Sequence, residues 1–263
     1  MPVHEWLTRI GERSHTVEGP GDGADGEWVG LIIDPHRIPE EALALYTLDG
    51  ATDIVPLFAG TELRSLSAYG PWAARLTPGS PAFEQAEMLC RELALGWMCR
   101  PPGGALEPFV EQMQRLAVMD DADGGQSLVQ VQQPEAWTAL LASAPRTHFD
   151  LWLQVLGPVY TPTPTAGWRC WVGAEPRGPT SPPFLDHNQC RALDDAPLAW
   201  WLGQDLGIPL EAVPPDMLEQ LRTLREAGIH LPDEWRRRLA KPGGAKDQTA
   251  RSKPGAAGRE AGT

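Results

Sequence analysis

At 263 residues, with 42% hydrophobic and 22% charged side chains, the chain has the composition of a folded protein with an ordinary core, and wholesale disorder is excluded. The net charge of -13 is unevenly spread: Lys241, Lys246 and Lys253 are the only lysines, and the body carries about -17 against about +4 from Leu231 onward. So acidic a body repels phosphate backbones, which argues against nucleic acid as a partner, and no stretch reaches the roughly 18 to 20 apolar residues of a membrane helix.

In chain order, residues 1–26 hold a short amphipathic piece, Glu5 to Ile10, and the Gly/Asp-rich run Glu18 to Gly26; together they read as a flexible lead-in. Trp28 to Ile33 reads as a buried strand or as an apolar run leading into a loop, and a second strand is predicted at Ala44 to Leu48, stopped by Asp49-Gly50. Trp72 to Leu76 is a third. Ser80-Pro81 supplies a cap and first-turn proline for a helix with Phe83, Ala86, Leu89, Cys90 and Leu93 on one face. Gly96 to Arg100 is the next strand, and Leu106, Phe109, Val110, Met113 and Leu116 mark the next helix. The runs Ala117 to Met119 and Ser127 to Val131, around the Asp120 to Gly125 turn, predict a hairpin. Pro134 then opens a helix with Trp137, Leu140 and Leu141 inward, and Phe149, Trp152, Leu153 and Leu156 form a further helical stripe.

This alternation predicts a mixed α+β class over residues 27–174, with a mixed sheet flanked by helices. A Pro/Gly-rich linker follows at 175–184, then a smaller helical lobe at 185–240 with helices over Cys190 to Leu206, Met217 to Ala227 and Asp233 to Leu239, and a disordered basic tail at 241–263.

Reactive groups do not assemble in sequence. His148 with Asp150, and Cys99 as nucleophile, lack any supporting elbow motif, and a cysteine in an apolar strand packs as a small hydrophobe. His187, Cys190 and Cys170 make only a fragment of a zinc pattern. Asp121 and Asp123 fit a solvated turn better than a calcium loop, because Gly125 stands where a third ligand belongs. The absence of lysine before Lys241 removes a Walker-type phosphate loop. Arg236, Arg237 and Arg238 lie on a helix too short and too acidic in its surroundings for a DNA reader. Four cysteines without CxxC spacing, and no basic-then-apolar start, suggest a reducing compartment. The expectation is a protein that is not an enzyme and carries no cofactor or metal.

Eleven tryptophans are harder to place in a featureless globule. Trp97, Trp137 and Trp152 occupy core positions, whereas adjacent Trp200 and Trp201 on one helix point about 100° apart, so both cannot easily be buried. Exposed tryptophan is a frequent interface anchor.

Four stretches resemble the type VI secretion effector adaptors, also called effector chaperones. Tyr46-Thr47-Leu48-Asp49-Gly50-Ala51-Thr52-Asp53 is similar to that family's opening strand and Asp-Gly-Ala turn, and Gly70-Pro71-Trp72-Ala73-Ala74-Arg75-Leu76 to its second strand. Gly96-Trp97-Met98 with the following helix and the Asp123-Gly124 hairpin resembles its middle, and Leu156-Gly157-Pro158-Val159 its Gly-Pro element. The likeness covers about Leu43 to Val172, with Gln132 and Gln133 standing where the family carries an aromatic and an aspartate before Pro134. The resemblance implies a cytoplasmic protein that binds a cognate toxic effector and helps load it onto a VgrG- or PAAR-type spike-tip protein. Trp168, Trp171, Trp200 and Trp201 are the candidate effector contacts. An immunity-type toxin-binding protein and an uncharacterised hydrolase are the alternatives.

Overall fold

A computed structural model of the chain describes residues 4–21, 28–37, 39–175, 182 and 184–239. Part of the Gly/Asp-rich run, most of the expected linker at 175–184 and the basic tail at 241–263 lie outside the described residues. The first elements are α1 (Glu5–Arg13), β1 (Ser14–Val17), β2 (Val29–Ile33), α2 (Pro39–Ala44), β3 (Ala51–Pro56) and β4 (Trp72–Leu76). Next come α3 (Pro81–Leu93), β5 (Gly96–Cys99), α4 (Glu107–Ala117), β6 (Val118–Asp121), β7 (Gln126–Leu128), α5 (Pro134–Ser143) and α6 (Arg146–Leu156). The remainder are β8 (Val159–Pro162), β9 (Trp168–Trp171), β10 (Phe184–Leu185), α7 (His187–Leu206), α8 (Pro215–Glu226) and α9 (Pro232–Leu239). The class is mixed α+β, as the alternating pattern predicts.

Seven strands form one sheet in the order β1-β9-β8-β5-β2-β4-β3. Every neighbouring pair in it is antiparallel, so it is not the mixed sheet expected from the sequence; among the described residues, parallel pairing is confined to β10 against β6 in a separate three-stranded sheet. Alternation of side chains along a strand gives this sheet two apolar faces. On one, Leu31, Ile33, Ala74, Leu76, Met98 and Trp168 pack with Phe83, Ala86, Leu89 and Cys90 of α3. On the other, Trp97 stacks on Trp137 of α5 at 4.7 Å between ring centres, and Trp171 meets the edge of Phe149 of α6 at 6.4 Å. The α3 layer starts as the sequence indicates: the Ser80 hydroxyl accepts from the Phe83 amide at 3.2 Å, and Pro81 needs no partner at the first helical position.

The N-terminal piece is part of this architecture rather than a lead-in. Trp6, Leu7 and Ile10 of α1 are buried, and β1 pairs residue for residue with β9 from Ser14 opposite Trp171 to Val17 opposite Trp168. Arg13 donates to the carbonyls of Leu141 and Ala144 at 3.1 and 2.7 Å, satisfying two acceptors that the end of α5 leaves open, and its guanidinium lies 5.4 Å from the centre of the Phe149 ring. Buried Arg100 holds the next turn by donating Nε and Nη2 to the Pro20 carbonyl at 2.9 and 2.6 Å.

The predicted strand at Ala44 to Leu48 is helical instead: α2 runs on into a 3-10 turn at Leu45–Thr47, and the strand follows as β3. Pro39 with Glu40 and Glu41 makes a favourable helix start, and the helical turn sends Leu45 into the α3 cluster while leaving Tyr46 outside. Strands β8 and β9 were not legible, because Pro158, Pro162 and Pro164 obscure a pair joined by a tight turn in which the Thr163 amide donates to the Gly167 carbonyl at 2.9 Å. Gln133, standing where the resembled family has aspartate, caps α5 with backbone alone, its side chain making no cap bond.

The first compact unit comprises Met1–Leu218 and the second begins at Glu219. Helix α7, expected to open a separate helical lobe, packs on α5 within the first unit. Its start is a reciprocal cap: the Asp186 carboxylate accepts from the Asn188 and Gln189 amides, both at 2.8 Å, and the Gln189 side chain accepts from the Asp186 amide at 3.1 Å. In the second unit α9 is fastened to its preceding turn by Trp235, whose indole donates to the Ile229 carbonyl at 2.8 Å.

Two glycine substitutions test this arrangement by urea denaturation. Gly96→Ala would place a methyl 2.1 Å from the Ile32 carbonyl oxygen, so β5 must move off β2, and a loss of about 3 kcal/mol is expected. Gly11→Ala, exposed in α1 with open space around it, should stabilise the whole cooperative transition by about 1 kcal/mol. No change for Gly11→Ala would mean that α1 is not integral to the fold.

Candidate functional site

Of the four tryptophans singled out from sequence, Trp168, Trp171 and Trp200 are buried and Trp201 is partly exposed. Trp168 and Trp171 are fully buried in β9, Trp168 toward α3 and Trp171 toward α6, where its indole donates to the Thr161 hydroxyl at 2.9 Å. The reason is topological: β9 is covered by helices on both faces and by β1 along its outer edge, so all four of its residues are buried. Trp200 is buried in α7, and Trp201 beside it is only partly exposed.

The reactive side chains weighed earlier have structural surroundings. Cys99 lies in β5 against Gly30, and burial pushes its thiol well above the ordinary range. Asp150 is paired with Arg146 at 2.9 Å and accepts from the Ala174 amide at 2.9 Å, which ties the chain after β9 to α6. Burial lowers the pKa of His148, against a smaller opposing pull from Asp186. Asp121 closes its hairpin turn by accepting from the Asp123 and Gly125 amides at 3.1 and 3.0 Å and from the Ser127 hydroxyl at 2.8 Å. Among the described residues, no group of three or more His, Cys, Asp or Glu side chains is placed to hold a metal ion.

What the fold does leave open is the margin of the sheet at β3 and β4. The turn Asp49-Gly50 is clamped onto the start of α3: the Gly50 carbonyl accepts from the Thr77 amide at 2.8 Å and the Asp49 carbonyl from the Ala82 amide at 3.2 Å. Gly50 has φ +92, and any Cβ there would lie 2.1 Å from the Ser80 hydroxyl, so glycine is required twice over. Gly70 is likewise pressed against Phe58, at 2.5 Å from an added Cβ to the ring. These contacts hold Tyr46 edge-on to Trp72, with ring centres 5.0 Å apart, and Tyr69 beside His36 at 5.9 Å. Because Trp72 pairs with Ile33 at the ends of β4 and β2, the segments that follow β2 and precede β4 emerge together. The result is an aromatic patch in which Tyr69 is 78% exposed, Leu43 55% and Tyr46 50%. Large apolar side chains gathered at the surface mark interaction sites more often than singly scattered ones do.

On the opposite face of the same two strands, a groove of about 430 Å³ runs between β3 and α4. Val55, Pro56, Leu106 and Val110 supply apolar lining, and the carboxylates of Asp53, Glu107 and Glu111 stand along it. Arg75 is committed within the groove: its guanidinium lies 4.9 Å from the centre of the Trp28 ring, donates to the Gly104 carbonyl and faces Asp53 at 3.4 Å. Gln114 fixes α4 to the strand by donating to the Leu57 carbonyl at 2.8 Å.

Residues 31–158 match the model of a family described as a domain of unknown function, DUF4123. No curated protein and no solved structure matches the chain. The matched segment runs from β2 to the residue before β8, so it contains every residue of the aromatic patch and of the groove, whereas Trp168, Trp171, Trp200 and Trp201 fall beyond it. None of the described helices is long and apolar enough to cross a membrane.

The hairpin turn gives a direct electrostatic test. Ser127, then the Gly125 amide, hold the Asp121 carboxyl below the ordinary value. A folded pKa below the unfolded one stabilises the turn at pH above the unfolded value, about 4, and the effect is lost as pH falls through the folded value. NMR titration should therefore give Asp121 a midpoint below that of an unperturbed aspartate, with the Asp123 and Gly125 amides shifting in step, and Ser127→Ala should move that midpoint upward.

Proposed function

We propose that this chain is a type VI secretion effector adaptor, a protein without catalysis of its own that holds a toxic effector in the cytoplasm and helps mount it on a spike-tip protein. The observation that carries the reading is the match over residues 31–158. That segment contains three of the four stretches resembling the adaptors, and all but the last residue of the fourth, so likeness and match fall on the same part of the chain. The structure supports the reading by giving two of those stretches a shared physical product: Tyr46 from the first and Trp72 from the second form the contact on which the aromatic patch is built.

An effector segment seated on the patch would cover Leu43, Tyr46 and Tyr69 and remove their apolar surface from water. Truncation of one such anchor commonly costs more than about 1 kcal/mol in binding, so loss of both tyrosines would weaken the complex by about tenfold or more. The chain's role is then to shield and present cargo, and the aromatic anchors set where the cargo sits.

The test is secretion. Deleting the gene in the attacking cell should remove one effector from the secreted fraction while spike-tip protein is still exported. Wild type should restore that effector, and the double variant Tyr46→Ala, Tyr69→Ala should not, although it folds normally. Unaltered secretion would contradict the proposal, and so would a defect expressed only as toxin sensitivity of recipient cells, which is the behaviour of an immunity protein.

A further inference from the structure

We infer that the groove between β3 and α4 is a second docking site, taking an extended apolar peptide segment that carries an arginine. The inference rests on the adaptor reading only for which protein bears that segment; the site itself is argued from the groove.

Size comes first. About 430 Å³ falls within the roughly 300 to 1,000 Å³ typical of built ligand sites, enough for a few side chains and too little for a folded domain. Val55, Pro56, Leu106 and Val110 make the lining apolar, so the occupant must offer apolar side chains to displace water from it.

Charge then selects among apolar segments. The lining holds three carboxylates, Asp53, Glu107 and Glu111, against one guanidinium, Arg75, which is already engaged by the Gly104 carbonyl, the Trp28 ring and Asp53. Among the described residues, Glu111 is paired only with exposed Arg115, at 3.7 Å, and Glu107 makes no ion pair. Exposed pairs of this kind contribute little, about 0 to 1 kcal/mol, so a partner's cation can replace Arg115 at small cost. A guanidinium suits this site better than an ammonium because its fork can bond carboxylates bidentately and it is less strongly hydrated.

Backbone recognition does not explain the groove. Strand β3 is the last strand of the sheet, which ordinarily invites another strand to add. Here its register breaks between Thr52 and Val55, Asp53 sits at φ 51, and Pro56 has no amide hydrogen to donate. Such an edge is a poor template for a ladder, so the groove must select through side chains.

The experiment measures binding of a short fluorescein-labelled peptide of leucine and valine with one central arginine to the full chain, by fluorescence anisotropy. Saturable binding is expected. It should weaken at least tenfold when glutamate replaces the arginine, at least tenfold for the double variant Glu107→Lys, Glu111→Lys, and at least tenfold for Ala59→Trp, which fills the groove without altering charge. Both glutamates and Ala59 are exposed, so melting temperatures should stay near wild type. No binding, equal binding of the glutamate peptide, or binding indifferent to these variants would overturn the inference. Self-association of the chain that the peptide competes away would also overturn it, by assigning the groove to a second copy. The Tyr46 and Tyr69 variants should leave peptide binding unchanged. Failure of the peptide with intact, tyrosine-dependent secretion would therefore remove the groove alone, and groove-dependent binding without a secretion defect would remove the adaptor reading alone.

Discussion

Helices cover the seven-stranded sheet on both faces, and that constraint decides where the molecule is able to recognise anything. Indole rings that look like a binding surface in sequence are consumed in covering the sheet: Trp97 against Trp137, Trp171 against Phe149, and Trp168 in the α3 cluster. A stacked or edge-on aromatic pair adds about 1 kcal/mol beyond its buried area, which makes those rings effective cement. At the β1 end the N-terminal segment is sewn in through Arg13 and Arg100. At the β3–β4 margin aromatic side chains and a groove remain open to solvent.

That margin is built by backbone requirements more than by side-chain chemistry. Gly50 must sit at positive φ and close against Ser80, and Gly70 must sit close against Phe58. Each glycine is followed within a few residues by a strand whose register then fixes a neighbour at the margin: Thr52 of β3 lies opposite Arg75, and Trp72 of β4 opposite Ile33 of β2. The patch and the groove lie on opposite faces of the same two strands, so a shift of register by one residue would exchange the side chains that each presents. A cargo engaging both surfaces would gain from linkage, since the second contact is intramolecular once the first is made.

Helices and the inner strands were legible because their signals are local. Ser80-Pro81 and Pro134 announce helix starts, and the apolar runs at Val29 and Gly96 are long enough to read as buried strands. The sheet's outer parts were not. Strand β1 hides behind an amphipathic helix that looks optional, β8 and β9 behind prolines, and β3 behind a stretch in which Tyr46 and Leu48 suggest extended chain while Pro39 commits it to helix. The candidate site shared that fate. Its residues carry no catalytic signature, and the sequence signal that did exist was the pair of glycine turns, whose value lies in bringing Tyr46 to Trp72 and is visible only in three dimensions. Abundant tryptophan pointed to the opposite end of the sheet, because residue type indicates interface propensity but not exposure.

If the chain is the adaptor proposed above, cargo is recognised at the β3–β4 margin and not at the tryptophan-rich end. Hydrogen–deuterium exchange of the full chain, alone and with whichever effector the secretion assay identifies, tests this placement. New protection is expected at residues 36–56, 69–72 and 106–114, with 159–171 and 187–206 unchanged. Protection gained in β9 and α7 while the margin exchanges as before would contradict it.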